Sequence, residues 1–259
     1  MNSWERFKRM YDHREADRIP IIDDPWAGTL RRWQREGMPK DVDWCDYFDI
    51  DKIGVINIDI SPRYPEVTLE ETDRYAIRTS PWGVTMKHFK EEDSTFDRIW
   101  DAGYHFDEIM WWDDMGYKGT TFFSPAMYRS MLQPYHKKAV DWAHNHGIYA
   151  QLHSCGGIMT LLPDIVATGV DGLNPLEVKA GMDALGIKKQ YGDRLLLRGG
   201  INAVLWDKPE EIVAEINEKV PILKENGGFV FSSDHSIPSS VSLENMKAII
   251  AQVKQVGSY

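Results

Sequence analysis

The sequence predicts an α/β protein built on a parallel sheet, and three observations predict it. From about residue 105 onward short apolar runs alternate with longer amphipathic ones, as successive strand–helix units do. Cap and turn residues fall between the runs where such units need them. Composition agrees: 259 residues, 42% hydrophobic and 27% charged, describe an ordinary globular chain that buries roughly three-quarters of its unfolded surface. A single domain over residues 1–259 is expected, since no linker, repeat or low-complexity tract divides it.

Taken in order, RIPIIDD at 18–24 and IGVINIDI at 53–60 read as buried strands, each ending in acidic residues. The stretch EVTLEETDRYAIRTSPWGVTMKHFK then alternates with a period of two around a Pro81-Trp82-Gly83 turn, so it reads as an inserted β-hairpin over one mouth of the sheet. Further strands are expected at 106–112, 148–153, 170–174, 195–199 and 229–233. Between the first two of these a long helix is expected, with Ser124 as N-cap, Pro125 at its first position and Gly147 closing it. Pro209-Glu210-Glu211 opens another helix with acid at its positive pole, Pro221 is placed to kink it, and Gly227-Gly228 stops it. LENMKAIIAQVKQV forms the last helix. That makes about seven parallel strands, one short of a closed (β/α) barrel. An open doubly wound sheet shows the same alternation, so periodicity leaves both architectures standing.

Charge narrows the partners. A net charge of -10 and a pI near 5.3 argue against nucleic acid, whose binders gather Lys and Arg on one face. No apolar stretch reaches the ~20 residues of a membrane helix, and the charged N-terminus lacks a signal-peptide core. A cytoplasmic protein is expected, with Cys45 and Cys155 as free thiols.

In parallel βα folds reactive groups gather where strands end. Those ends carry Asp23, Asp24, Asp59, Asp113, Asp114, His153, Cys155, Asn174, Glu177, Arg198, Asn202, Asp234 and His235. The sharpest local signal is Leu152-His153-Ser154-Cys155-Gly156-Gly157, where an imidazole and a thiolate two residues apart can share one zinc ion. A buried cysteine beside a hydrogen-bonded histidine explains the same pair equally well. Asp234 or His235 is the candidate third ligand. Asp113 and Asp114 can bind a cationic group or pyrrole-type N–H donors, or simply cap the next turn. Arg198 can fork a substrate carboxylate or close a salt bridge. Trp26, near a strand end, is a candidate wall for a flat ligand, although most aromatic residues are core.

The run DDMGYKGTTFFSPAMYRSMLQPYHKKAVDWAHNHGIYAQLHSCGGIMTLLPDIVATGVDGLNPLEVKAGMD, with YGDRLLLRGGIN, the PEEI helix and the N-terminal ERFKRMYDHREADRIPI, resembles the uroporphyrinogen decarboxylase superfamily. The resemblance implies a TIM-like barrel. Within that superfamily the chain is most similar to the corrinoid-linked methyltransferase and O-demethylase branch, in which a His-x-Cys pair and a later Cys hold zinc. His153 and Cys155 match the first two positions; at the third this chain reads Phe231-Ser232-Ser233-Asp234-His235. The Arg-rich N-terminal run of the decarboxylases is absent. Members run well past 300 residues, and the shortfall falls near 97–103, so a barrel contracted by its middle βα units is expected.

The resemblance therefore implies a zinc methyltransferase acting between a small methylated substrate or thiol and the cobalamin of a corrinoid protein. Zinc sits on His153, Cys155 and Asp234 or His235. Asp113, Asp114 and Glu177 do chemistry, and Asp23, Asp24, Trp26, Asn174, Arg198 and Asn202 bind substrate. A homodimer fits barrel relatives. The alternatives are a metal-free decarboxylase of a porphyrinogen or other carboxylated substrate, and a non-catalytic corrinoid- or porphyrin-binding derivative.

Overall fold

Parallel strands bury both faces, and the apolar runs of this chain are continuous enough to require it. The computed structural model describes residues 1–55, 63–73, 75–89 and 107–259. Two compact units emerge, Met1–Ile53 with His105–Tyr259, and Gly54–Tyr104. Of the strand expected at 53–60, residues 53–55 are described and carry no strand, and the rest lie outside the described residues, as do Asp59 and the junction at 97–103.

The larger unit opens with α1 (Ser3–Tyr11), where Asn2 and Glu5 satisfy each other's backbone in a capping box. After it come α2 (Ala27–Arg35) and α3 (Trp44–Phe48), the latter capped by Asp43. In the smaller unit the expected hairpin is a three-stranded antiparallel meander, β1 (Thr68–Glu71), β2 (Tyr75–Thr79) and β3 (Thr85–Phe89). The Pro81-Trp82-Gly83 turn joins β2 to β3, as the sequence suggested. The missed strand, β1, is exposed at every position.

The larger unit resumes with β4 (Glu108–Trp112) and a small hairpin, β5 (Gly116–Tyr117) with β6 (Thr120–Thr121). The single long helix expected next is two, α4 (Pro125–Met131) and α5 (Gln133–Asn145). Pro134 brings no N–H and its ring crowds the preceding turn, so the helix restarts there. Ser124 caps α4 through Met127 N, and Gly147 closes α5 at φ +71°. The remaining order is β7 (Tyr149–His153), α6 (Leu162–Val166), β8 (Gly172–Leu176), α7 (Ala184–Tyr191), β9 (Leu196–Gly199), α8 (Pro209–Leu223), β10 (Phe229–Val230) and α9 (Leu243–Val256). Pro221 is accommodated inside the last turn of α8.

Strand order separates the two architectures that periodicity left open. The parallel sheet runs β10-β9-β8-β7-β4, and beyond β10 the extended segment at 18–24, expected from the sequence as the first strand, joins it through an isolated parallel bridge between Ile21 and Phe231. Ile22 N donates to Phe231 O at 3.1 Å, and Phe231 N to Pro20 O at 2.9 Å. The chain thus winds one way and lays its first strand beside its last. A doubly wound sheet reverses direction partway; this order is that of a TIM-like barrel.

Side-chain alternation then sorts residues by face. Ile109, Leu152, Leu173, Leu197 and Phe229 face outward into the main core, beneath the apolar stripes of α5 to α9. Ile22, Leu196 and Val230 face inward and pack on Met10 and Tyr11 of α1, which close that end of the interior. Two residues further along each strand, the same inward face carries Trp112, His153, Asn174, Arg198 and Asp24. The register supports this level directly, with Trp112 opposite His153 and His153 opposite Asn174.

Candidate metal centre at the strand ends

The site grows from the end of β7. Cys155 Sγ lies 3.4 Å from His153 Nε2, so the pair flagged by the sequence does converge. The third member comes from the end of neighbouring β4. Asp114 Oδ1 is 3.7 Å from His153 Nε2 and accepts the Cys155 N–H at 2.9 Å. All three donor atoms fall within 4.8 Å of one another. Tetrahedral zinc with bonds of about 2.0–2.3 Å sets its ligands roughly 3.3–3.8 Å apart, so the nitrogen, sulfur and oxygen donors fit such an ion with small adjustments.

The loop that carries Cys155 is tied down on both flanks. Ser154 N donates to Asn174 O at 2.8 Å, and Met115 N to Ser154 Oγ at 3.0 Å. Gly156 N donates to Glu177 Oε2 at 2.8 Å, so Glu177 shapes the loop as it borders the site. Gly156 has φ +85°, and a Cβ there would meet the Gly116-Tyr117 backbone, with Tyr117 N at 2.5 Å. Only glycine permits that approach of the loop to β5.

Electrostatics poise the pair. Burial, then the carboxylates of Asp114 and Glu177, push the Cys155 thiol up to about 12. Burial lowers His153, opposed by Asp114 and the Asn174 carboxamide and reinforced by Arg198 and His235. Near neutral pH the metal-free site therefore holds a thiol and a neutral imidazole with its lone pair available. Trp112 stacks on the His153 ring at 4.9 Å between centroids and leaves its other face open.

The two adjacent aspartates do not act as a pair. Asp113 turns to the helix layer, where its Oδ2 lies 2.9 Å from His136 Nε2. The Tyr128 hydroxyl lies 2.9 Å from His136 Nδ1, both residues buried. This Tyr128–His136–Asp113 chain was invisible in sequence, because its parts come from three elements.

Asp234 is not in the cluster. It is fully buried, and its two oxygens accept Ala203 N at 2.7 Å and Val178 N at 2.9 Å. With both oxygens committed to backbone it braces the loops after β8 and β9, and the carboxylate that stands beside His153 and Cys155 is that of Asp114. His235 is exposed and reaches His153 only through its charge. Asn202 caps the short turn Ala203–Leu205 through Val204 N at 3.1 Å. Trp26 stands exposed at the start of α2.

Deeper inside, Asp23 accepts Ser233 N at 2.6 Å, Ser233 Oγ at 2.9 Å and Asp24 N at 2.8 Å. Burial still pushes its carboxyl up to about 6. Glu108, which the sequence reading missed, accepts a short hydrogen bond from Tyr11 OH, to which Gln151 Nε2 donates at 2.8 Å. The period of two in Glu108-Ile109-Met110-Trp111-Trp112 was the available signal, since it aligns Glu108 with Trp112. A separate hollow of about 750 Å³ lies at the other end of the strands, lined by residues such as His13, Lys188 and Asn226. It holds none of the residues above.

Comparison with known proteins identifies the family. Residues 107–256 match the family described as Uroporphyrinogen decarboxylase (URO-D). The uroporphyrinogen decarboxylase of Pelodictyon phaeoclathratiforme is 32% identical over 103 residues, 37% of this chain and 28% of that protein. That of Chloroherpeton thalassium is 27% identical over 133 residues, 49% of this chain and 37% of that protein. The matches thus span between 28% and 37% of the length of these two relatives. Among solved structures, a methyltransferase from Methanosarcina mazei is similar at 27% identity, with a TM-score of 0.44 over 57% of this chain and 42% of that one.

Proposed function

The chain belongs to the uroporphyrinogen decarboxylase family, and from that premise we propose that it is a zinc-dependent methyltransferase. It would move a methyl group between a small methylated substrate or thiol and the cobalamin of a corrinoid protein. The observation that carries this reading is the convergence of His153 Nε2, Cys155 Sγ and Asp114 Oδ1 within 4.8 Å at the strand ends. Mixed nitrogen and sulfur donors suit zinc better than calcium or magnesium, and three protein ligands leave a fourth position open to a reactant. The likeness of His153-x-Cys155 to the zinc pair of corrinoid-linked methyltransferases points the same way.

Zinc in this place would supply Lewis acidity, lowering the pKa of a thiol or hydroxyl bound beside it. The chain's own residues do the rest. Glu177 and Asp114 fix the Cys155 loop through Gly156 N and Cys155 N. Asn174 lies opposite His153 on β8, where its carboxamide opposes the lowering of the imidazole pKa. The open face of Trp112 gives a methylated ligand an apolar wall.

Elemental analysis of protein purified without added metal tests the reading. About one zinc per chain is expected, lost in Cys155→Ser with the circular dichroism spectrum unchanged. Full zinc retention by Cys155→Ser and Asp114→Ala alike would refute the site. The second reading is a metal-free decarboxylase. The carboxyl of Asp23, pushed up to about 6 by burial beside the strand ends, favours it as a group able to donate and accept protons near neutral pH. Activity that survives a chelator would move that reading ahead.

A further inference from the structure

The strand-end level that carries His153 also carries two charges of opposite sign for which no hydrogen bond is found among the described residues. Arg198 stands two residues beyond Leu196 on β9, and Asp24 two beyond Ile22 on the first strand. Leu196 and Ile22 belong to the same inward cluster, so both charged residues turn toward the same mouth, Arg198 half-buried and Asp24 exposed at its rim. Among the described residues the Arg198 guanidinium makes no hydrogen bond or ion pair, and the Asp24 carboxylate accepts none, whereas their neighbours are committed. Asp23 spends its oxygens on Ser233 and Asp24 N, and Glu108 is held by Tyr11. Arg198 and Asp24 do not bond each other; burial lowers the guanidinium against the charges of Glu108, Asp23 and, more weakly, Asp24, and burial raises the Asp24 carboxyl against the charge of Arg198. Between the elements that carry them and His153 lies Asn174, whose buried Oδ1 has no donor.

A planar five-donor cation left open in a polar interior is a fork for a carboxylate. A free carboxylate facing it, with an orphan amide oxygen nearby, calls for a positive nitrogen or an N–H. We propose that this interior binds a small zwitterion, its carboxylate on Arg198 and its cationic nitrogen toward Asp24, with the rest of the molecule directed to the His153–Cys155 cluster. The substrate class is thus an amino-acid-like or betaine-like compound. The inference rests on the reading that these strand ends form the substrate site, but its recognition step needs no metal.

Calorimetric titration of the full chain with three near-isosteric probes tests it: glycine betaine carries both charges, choline only the cation, 3,3-dimethylbutanoate only the carboxylate. Glycine betaine is expected to bind at least tenfold more tightly than either analogue. Arg198→Met should erase its advantage over choline and Arg198→Lys restore part of it. Asp24→Asn should erase its advantage over 3,3-dimethylbutanoate. Zinc content, read in parallel, should be unchanged in all three variants, so a chain that binds no zinc yet discriminates the probes would sink the metal reading and leave the zwitterion site standing. Equal affinity for the three probes, or discrimination untouched by both charge-removing variants, would overturn the proposal.

Discussion

At the scale of single residues, the protonation state of the cluster fixes how a metal must bind. Without metal Cys155 keeps its proton up to about 12, while His153, lowered by burial, is neutral at pH 7.5. A cation that takes both must displace one proton from sulfur and none from nitrogen. Zinc titrations at pH 7.5 in buffers of different ionisation enthalpy should therefore report close to one proton released per ion. Apparent affinity should rise about tenfold per pH unit over the neutral range, because the thiolate fraction does. Release of none, or of two, would show that other groups bind the metal. Asp51 illustrates a structural charge. Burial pushes its carboxyl up, but Ile21 N–H, Arg18 at 2.5 Å and Arg6 at 3.0 Å outweigh that and hold it below the usual range. A carboxylate depressed in the folded state stabilises it above the unfolded pKa of about 3.9, and that stability is lost as pH falls through the folded value. Asp51→Ala would strand two arginines and a strand N–H, so a cost of about 3–5 kcal/mol is expected in urea melts at pH 7. That difference should narrow toward pH 3.

At the scale of elements, the loop after β7 shows what a sequence can and cannot disclose. His153 and Cys155 were legible because their spacing is local, and the loop glycines because tight approach leaves few alternatives. Asp114 as their partner was not, since it depends on β4 pairing beside β7, and neither strand's own pattern says which strand will lie next to it. Asp234 looked equivalent from its strand-end position, but the strand end says nothing about which backbone N–H groups wait there. The same holds for helices. Ser124 and Gly147 announced the outer ends of a helical stretch, while the break at Pro134 called for weighing one proline against a strong apolar pattern. Gly156 permits a direct check on the loop. Adding a methyl at φ +85° against the Gly116-Tyr117 backbone must move either the loop or β5. Gly156→Ala is expected to destabilise by about 2–4 kcal/mol and to weaken zinc binding, because Cys155 is the preceding residue. Gly147→Ala is the control: it shares the positive φ but meets nothing within 4 Å, so it should cost only about 1 kcal/mol and leave zinc binding unchanged.

For the molecule as a whole, winding and burial say which parts should open together. The first strand lies on β10, and the C-terminus lies beside the first strand, with Ile19 N donating to Gly257 O at 3.0 Å. Both ends of the larger unit are thereby fastened into one sheet, whose outward face is covered by α5 to α9. Those amides should exchange only when the entire unit unfolds. The meander β1 to β3 stands in different circumstances. β1 and residues 85–87 of β3 are exposed, and in β2 only Ala76 is buried, with Tyr75, Ile77 and Thr79 half-buried. An antiparallel ladder with so little apolar burial supplies little stability of its own. Native-state hydrogen exchange should therefore give the β1–β3 amides at least about a hundredfold less protection than Leu152, Leu173 and Leu197, a gap of roughly 2.7 kcal/mol in opening free energy. Adding zinc should widen that gap by slowing exchange throughout the parallel sheet, whose amides open only with the whole unit, without touching the meander. Equal protection in both units would mean that they unfold as one body, and slowing spread evenly over both on zinc addition would mean the same.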